Sequence, residues 1–175
     1  MDRAVFLDRD GVINCVVFRN GKPASPRSLA EFQLESDIER PLEHLRASGF
    51  RLFVVTNQPD IARGFLNLQT LEQFHRAVMD RFPIEDICVC PHDDRDCCQC
   101  RKPKPGTLTM LAEREGIELS QSFVIGDSWR DVQAARAVGC VAILLDRFYN
   151  RSDDADYRVS SLGHAAQLIL EGLTR

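Results

Sequence analysis

Val5-Phe6-Leu7-Asp8-Arg9-Asp10-Gly11 decides the fold: an apolar run that stops on two carboxylates and a glycine. Consecutive apolar residues suit a strand buried on both faces, and such strands belong to parallel sheets with helices on either side. The pattern recurs outward along the chain. Leu52-Phe53-Val54-Val55 runs into Thr56-Asn57-Gln58, and Phe123-Val124-Ile125 into Gly126-Asp127-Ser128. Ile87-Cys88-Val89 and Val141-Ala142-Ile143-Leu144-Leu145 supply two further strands. Helical spacing fills the gaps: Ile38, Leu42 and Leu45 up to Gly49; Leu71, Phe74, Val78 and Phe82; Leu108, Leu111 and Ala112 up to Gly116; Val132 to Val138 before Gly139; Leu162 to Leu170. Pro41 leaves the start of the first helix open. The stretch 14–27 reads as a surface loop. The order predicts an α/β fold: a Rossmann-like, doubly wound parallel sheet of about five to six strands in one domain spanning 1–175.

The 175 residues carry a formal charge of -4, which argues against nucleic acid as a partner. No apolar run approaches the ~18 residues of a membrane span, and Arg3 to Leu7 leads straight into charge rather than into a secretory leader. A soluble, cytoplasmic monomer is expected. Its partner would be a small molecule.

Ligands in doubly wound sheets bind beyond the carboxyl ends of the strands. There the chain offers Asp8, Asp10, Thr56, Asn57, Asp127 and, a turn later, Asp131. The run Arg101-Lys102-Pro103-Lys104-Pro105 adds cations. Extended geometry sends Asp8 and Asp10 to one side. Converging carboxylates repel, and Mg²⁺ would relieve that, because it takes one or two carboxylates plus substrate phosphate. A carboxylate beside Mg²⁺ can attack phosphorus, and a second can move the protons. Arg101 could clamp a phosphate bidentately.

Of seven cysteines, five lie between Cys88 and Cys100. Disulfides would be spread to close large rings; a cluster with a histidine points to metal. Cys90, His92 and Cys100 with either Cys97 or Cys98 would give Zn²⁺ a closed tetrahedral shell, the structural kind. That zinc loop spans about 88–102.

Phe6 to Asn14, Val55 to Gln58, Lys102-Pro103-Lys104-Pro105 and Gly126 to Asp131 resemble, in order, the four motifs of the haloacid-dehalogenase-like phosphatases. The resemblance implies Asp8 as nucleophile and Asp10 as general acid and base. It implies Thr56 and Asn57 at the phosphoryl group, and Lys102 neutralising its charge. Magnesium would take Asp8, the Asp10 backbone carbonyl and Asp127, with Asp131 in support. It also favours Cys98 as the fourth zinc ligand. Too few residues separate the motifs for a separate cap, so a capless member with an open site is implied.

Within that superfamily the zinc loop resembles two groups: the D-glycero-D-manno-heptose 1,7-bisphosphate 7-phosphatases and the histidinol-phosphate phosphatases. Thr56-Asn57-Gln58-Pro59-Asp60-Ile61-Ala62-Arg63-Gly64 is closer to the first. Arg63 and Arg101 are the cations placed to grip the substrate away from the reacting phosphate. A phosphotransferase, and a zinc-braced binding protein without catalysis, are the rival functions.

Overall fold

The computed structural model describes residues 1–150 and 154–173. In chain order come β1 (Arg3–Leu7), β2 (Val17–Arg19), β3 (Lys22–Ala24), α1 (Glu39–Ala47), β4 (Phe50–Asn57), α2 (Leu68–Arg81) and β5 (Asp86–Cys90). Then follow α3 (Gly106–Glu115), β6 (Phe123–Gly126), α4 (Trp129–Ala137), β7 (Val141–Leu145), β8 (Tyr157–Val159) and α5 (Leu162–Leu170). Six strands form one sheet in the order β5-β4-β1-β6-β7-β8, every neighbouring pair parallel.

The continuous apolar runs are explained by two cores. Val5 and Leu7, Leu52 and Val54, and Ile143 and Leu145 face one side, where α1, α2 and α5 bring Leu42, Leu45, Val78 and Ile169. Ala4 and Phe6, Phe53 and Val55, and Ala142 and Leu144 face the other, against Leu108 and Leu111 of α3 and Val132 and Ala135 of α4. The buried stretches of β1, β4, β6 and β7 alternate between two apolar interfaces, so they carry no charged side chain until the strands end.

The chain adds β4 and β5 on one side of β1, then returns to add β6, β7 and β8 on the other. The order therefore reverses at β1, and the crevice beyond β1 and β6 is the place where such sheets bind ligands. Between β1 and β4 the chain builds the β2–β3 hairpin and α1, and no larger inserted unit. Among the described residues, no helix is long and apolar enough to cross a membrane.

The stretch 14–27 is not a plain loop. Val17–Arg19 pairs antiparallel with Lys22–Ala24 around Asn20 and Gly21, whose φ values are 53° and 73°. Two positive φ values are what a two-residue hairpin turn needs, and Asn-Gly supplies them at low cost. Pro41 sits in the first turn of α1, where its missing N–H has no helical partner to lose. Helix α4 begins three residues before Val132, because Ser128 caps it and Asp131 returns the bond.

Candidate active site

Four strand ends and the zinc loop converge on one cavity of about 560 Å³, whose lining includes Asp8, Asp10, Asn57, Lys102, Asp127 and Ser128. At its floor the Lys102 ammonium lies 3.0 Å from Asp8 Oδ1 and 2.5 Å from Asp131 Oδ1. It also donates to the Val55 carbonyl at 2.7 Å. Burial would drive its proton off, but Asp131 and Asp8 hold the ammonium above its usual range. The Asp131 Oδ2 accepts from the Ser128 N–H and hydroxyl. One carboxylate thus caps α4 and anchors Lys102. Gly126 makes this possible, since a Cβ there would meet Asp131 at 2.3 Å.

Asp8, Asp127 and Asp131 offer oxygens that all lie within 4.8 Å of one another. Burial, then the charges of Asp131, Asp127 and Asp10, push the Asp8 carboxyl well up, against the pull of Lys102. Burial and Asp131 push Asp127 up to about 7. Lys102 is shared between Asp8 and Asp131, so the three carboxylates face one ammonium and two negative charges lack a compensating partner. A hard divalent cation with oxygen ligands fits that deficit, and the donor set is the kind Mg²⁺ takes.

Asp10 is held differently. Its carboxylate accepts from Arg9 Nη2 at 2.9 Å, Asn14 at 2.9 Å, Ser25 at 2.7 Å and Gln58 at 2.8 Å. Burial opposes its charge, but Arg9 and then the bonds from Ser25 and Asn14 hold the carboxyl below its usual value. Arg9 is itself fully buried, with its guanidinium near the rings of Phe32 and Phe74.

The remaining expected residues take distinct places. Thr56 is buried one residue below cavity-lining Asn57, its hydroxyl accepting from Gln58 at 2.9 Å. The Asn57 amide is spent on the Lys102 backbone, donating to its carbonyl at 3.0 Å and accepting from its N–H at 3.1 Å. Arg63 and Arg101 both line the cavity, with Arg19, Arg27 and Arg130. Each is ion-paired: Arg63 to Asp93 at 2.7 Å, Arg101 to Asp94 at 2.7 Å.

In the cysteine loop, Cys90 Sγ lies 3.6 Å from Cys98 Sγ and 3.1 Å from Cys100 Sγ, and Cys98 lies 3.5 Å from Cys100. His92 Nδ1 stands 3.3 Å from Cys100 Sγ and 3.7 Å from Cys90 Sγ. A tetrahedron with Zn–S arms of ~2.3 Å has edges of about 3.8 Å, so the four donors match a closed zinc shell in number, type and spacing. Cys97 is exposed, at φ 50°, and its thiol reaches toward the Asp94 carbonyl instead. Lys104, two residues past the motif lysine, is exposed and donates to the Cys97 and Cys98 carbonyls.

Several site residues gave no signal in the sequence. Tyr149 donates to Asp127 Oδ2 at 2.6 Å, and Asn150 donates to the Asp127 carbonyl at 2.8 Å. Ser25 reaches Asp10 from just beyond the hairpin. The Asn-Gly pair could have announced the hairpin, but nothing local announces the contact.

A doubly wound parallel sheet with carboxylates after its first and fourth core strands and a lysine between them defines a class of hydrolase. The chain belongs to the haloacid dehalogenase-like hydrolases, whose family model matches residues 28–139. A D-glycero-beta-D-manno-heptose-1,7-bisphosphate 7-phosphatase of Pseudomonas aeruginosa is 38% identical over 147 residues, 81% of this chain and 79% of that protein. One from Helicobacter pylori is 34% identical over 139 residues, 76% of this chain and 77% of that protein. The crystal structure of D,D-heptose 1,7-bisphosphate phosphatase from B. bronchiseptica, complexed with magnesium and phosphate, matches with a TM-score of 0.82 at 27% identity. That match covers 98% of this chain and 99% of that one.

Proposed function

We propose that the chain is a magnesium-dependent phosphomonoesterase that removes the 7-phosphate of D-glycero-D-manno-heptose 1,7-bisphosphate through an aspartyl phosphate on Asp8. The observation that carries this reading is the Asp8–Lys102 contact of 3.0 Å on the floor of an arginine-rimmed cavity. Asp8, the Asp10 carbonyl and Asp127 would hold Mg²⁺, whose charge would keep Asp8 ionised and draw electron density from the phosphoryl oxygens.

Asp8 attacks phosphorus as the bond from phosphorus to the sugar oxygen breaks. Asp10 gives that oxygen its proton. Water then attacks the same phosphorus; Asp10 takes the water's proton, the bond to Asp8 breaks, and inorganic phosphate leaves. Held ionised in the free site, Asp10 must gain its first proton as substrate binds. Lys102 spreads the phosphoryl charge, and Asn57 and Asp131 position Lys102. Thr56, through Gln58, supports the same strand end. Zinc on Cys90, His92, Cys98 and Cys100 braces the loop from which Arg101 and Lys102 project.

An open site selects by contacts to the far end of its substrate. A bisphosphate offers a second anion to Arg63 and Arg101, whereas histidinol phosphate offers a cationic amine to the same arginines. Initial rates with Mg²⁺ on both compounds test this. A preference of ~10-fold or more in kcat/KM for the bisphosphate is expected, the effect of about one charge-assisted contact. Faster turnover of histidinol phosphate would reassign the substrate. No turnover of any phosphomonoester would favour a zinc-braced binding protein.

A further inference from the structure

We infer that Tyr149 is a positioning residue for the cation-binding carboxylate of Asp127, fixing one of its oxygens so that the other faces the cation. The inference rests on the reading of Asp127 as a magnesium ligand. It concerns a segment, residues 147–150, that lies outside all four phosphatase motifs.

Side-chain hydrogen bonds from Tyr149, Asn150 and Arg147 tie this segment to the site. Tyr149 Oη donates to Asp127 Oδ2 at 2.6 Å. Asn150 Nδ2 donates to the Asp127 carbonyl at 2.8 Å and to the Leu145 carbonyl at 2.7 Å. Arg147 Nη2 donates to the Gly11 carbonyl at 2.7 Å. The segment therefore touches the backbone that follows Asp10 as well as the backbone and side chain of Asp127.

The steric frame is equally tight. A Cβ on Gly11 would meet Asp127 Oδ2 at 2.1 Å and Tyr149 Oη at 2.6 Å. The φ of Gly11 is 82°, so both space and conformation demand glycine there. Asp127 Oδ2 is thus confined between the Gly11 backbone and the Tyr149 hydroxyl. The ring is held in turn by Phe18 of β2, edge-on at 5.8 Å, and by Phe148 at 5.3 Å. A carboxylate on a free χ2 would sample many orientations. With Oδ2 confined, Oδ1 is the oxygen left for a cation. Hydrogen bonds of this kind to metal ligands orient them and tune their affinity.

The test uses the full-length, zinc-loaded chain dialysed free of magnesium, with Mn²⁺ as the probe and free Mn²⁺ read by electron paramagnetic resonance. Wild type, Tyr149→Phe, Tyr149→Leu and Asp127→Asn are compared. Tyr149→Phe keeps the ring against Phe18 and loses only the hydroxyl. Its Kd for Mn²⁺ should rise by ~10-fold or more, and Tyr149→Leu should match it. With Mg²⁺, the concentration giving half-maximal rate should rise by a similar factor, with kcat recovering at saturation. A Tyr149→Phe protein that binds Mn²⁺ as wild type does, or more tightly, overturns the inference. So does an effect confined to Tyr149→Leu, which would assign the role to ring packing. Mn²⁺ binding unchanged in Asp127→Asn would instead overturn the metal assignment beneath it.

Discussion

Asp127 is asked to be charged for chemistry in a place that resists charge. Burial and Asp131 raise its folded pKa to about 7, far above an unfolded value near 3.8. A raised carboxyl contributes stability that is fully present below the unfolded value and is lost as pH rises through the folded one. The magnesium-free protein should therefore lose melting temperature between about pH 4 and pH 7 on this account. Added Mg²⁺ should raise the melting temperature more at pH 8 than at pH 5, and Asp127→Asn should flatten both trends in a thermal melt. Asp8 is crowded by the same charges, so Asp8→Asn should abolish turnover without lowering the melting temperature. Asp10→Asn should slow turnover by ~10²-fold or more, the scale of losing a positioned acid and base. Asp8, Asp10, Lys102 and Asp127 were legible because each sits at a fixed offset from a recognisable strand or turn. Tyr149 and Ser25 were not, because they meet their partners across 22 and 15 residues, and one sequence records no such contact.

Among the elements, the strands of the sheet interior were the most legible, because burial on two faces leaves a run of apolar residues that no loop would carry. The ends of helices α1, α3 and α4 were nearly as plain, each a helical apolar run closed by Gly49, Gly116 or Gly139. The β2–β3 hairpin and β8 were missed: each strand has three residues, too few for alternation to register. The zinc loop lies between these cases. Its cysteines and histidine were legible, but which of Cys97 and Cys98 joins the cluster is a matter of backbone direction: Cys97 turns through the left-handed region and Cys98 lies with Cys90, His92 and Cys100. Cys98→Ser should lose zinc on elemental analysis, whereas Cys97→Ser should keep about one ion per chain. Because Lys102 follows two residues after Cys100, loss of zinc should also cut kcat. Retention of zinc by Cys98→Ser would require a different fourth ligand.

Across the whole molecule, the sheet separates a chemically active edge from two apolar layers, and a few polar groups must be buried behind that edge to hold it. His75 on α2, half-buried near Arg9, is a polar group of another kind: its Nε2 is buried without a hydrogen-bond partner among the described residues. Burial, and then the charge of buried Arg9, bring its pKa down to about 4 from an ordinary value of 6.5. The sign is opposite to that of Asp127. The unfolded chain takes up a proton near pH 6.5 and the folded chain only near pH 4, so stability falls as pH drops between those values. Mg²⁺ at Asp127 would remove the alkaline slope and leave this acid limb exposed. Acid unfolding followed by circular dichroism at saturating Mg²⁺ should therefore begin below about pH 6.5, and His75→Gln, which cannot take up the proton, should move the midpoint to lower pH. An unchanged midpoint would place the acid sensitivity elsewhere, with the buried Arg9–Asp10 pair, whose depressed carboxyl also loses stability as pH falls, as the group to examine next.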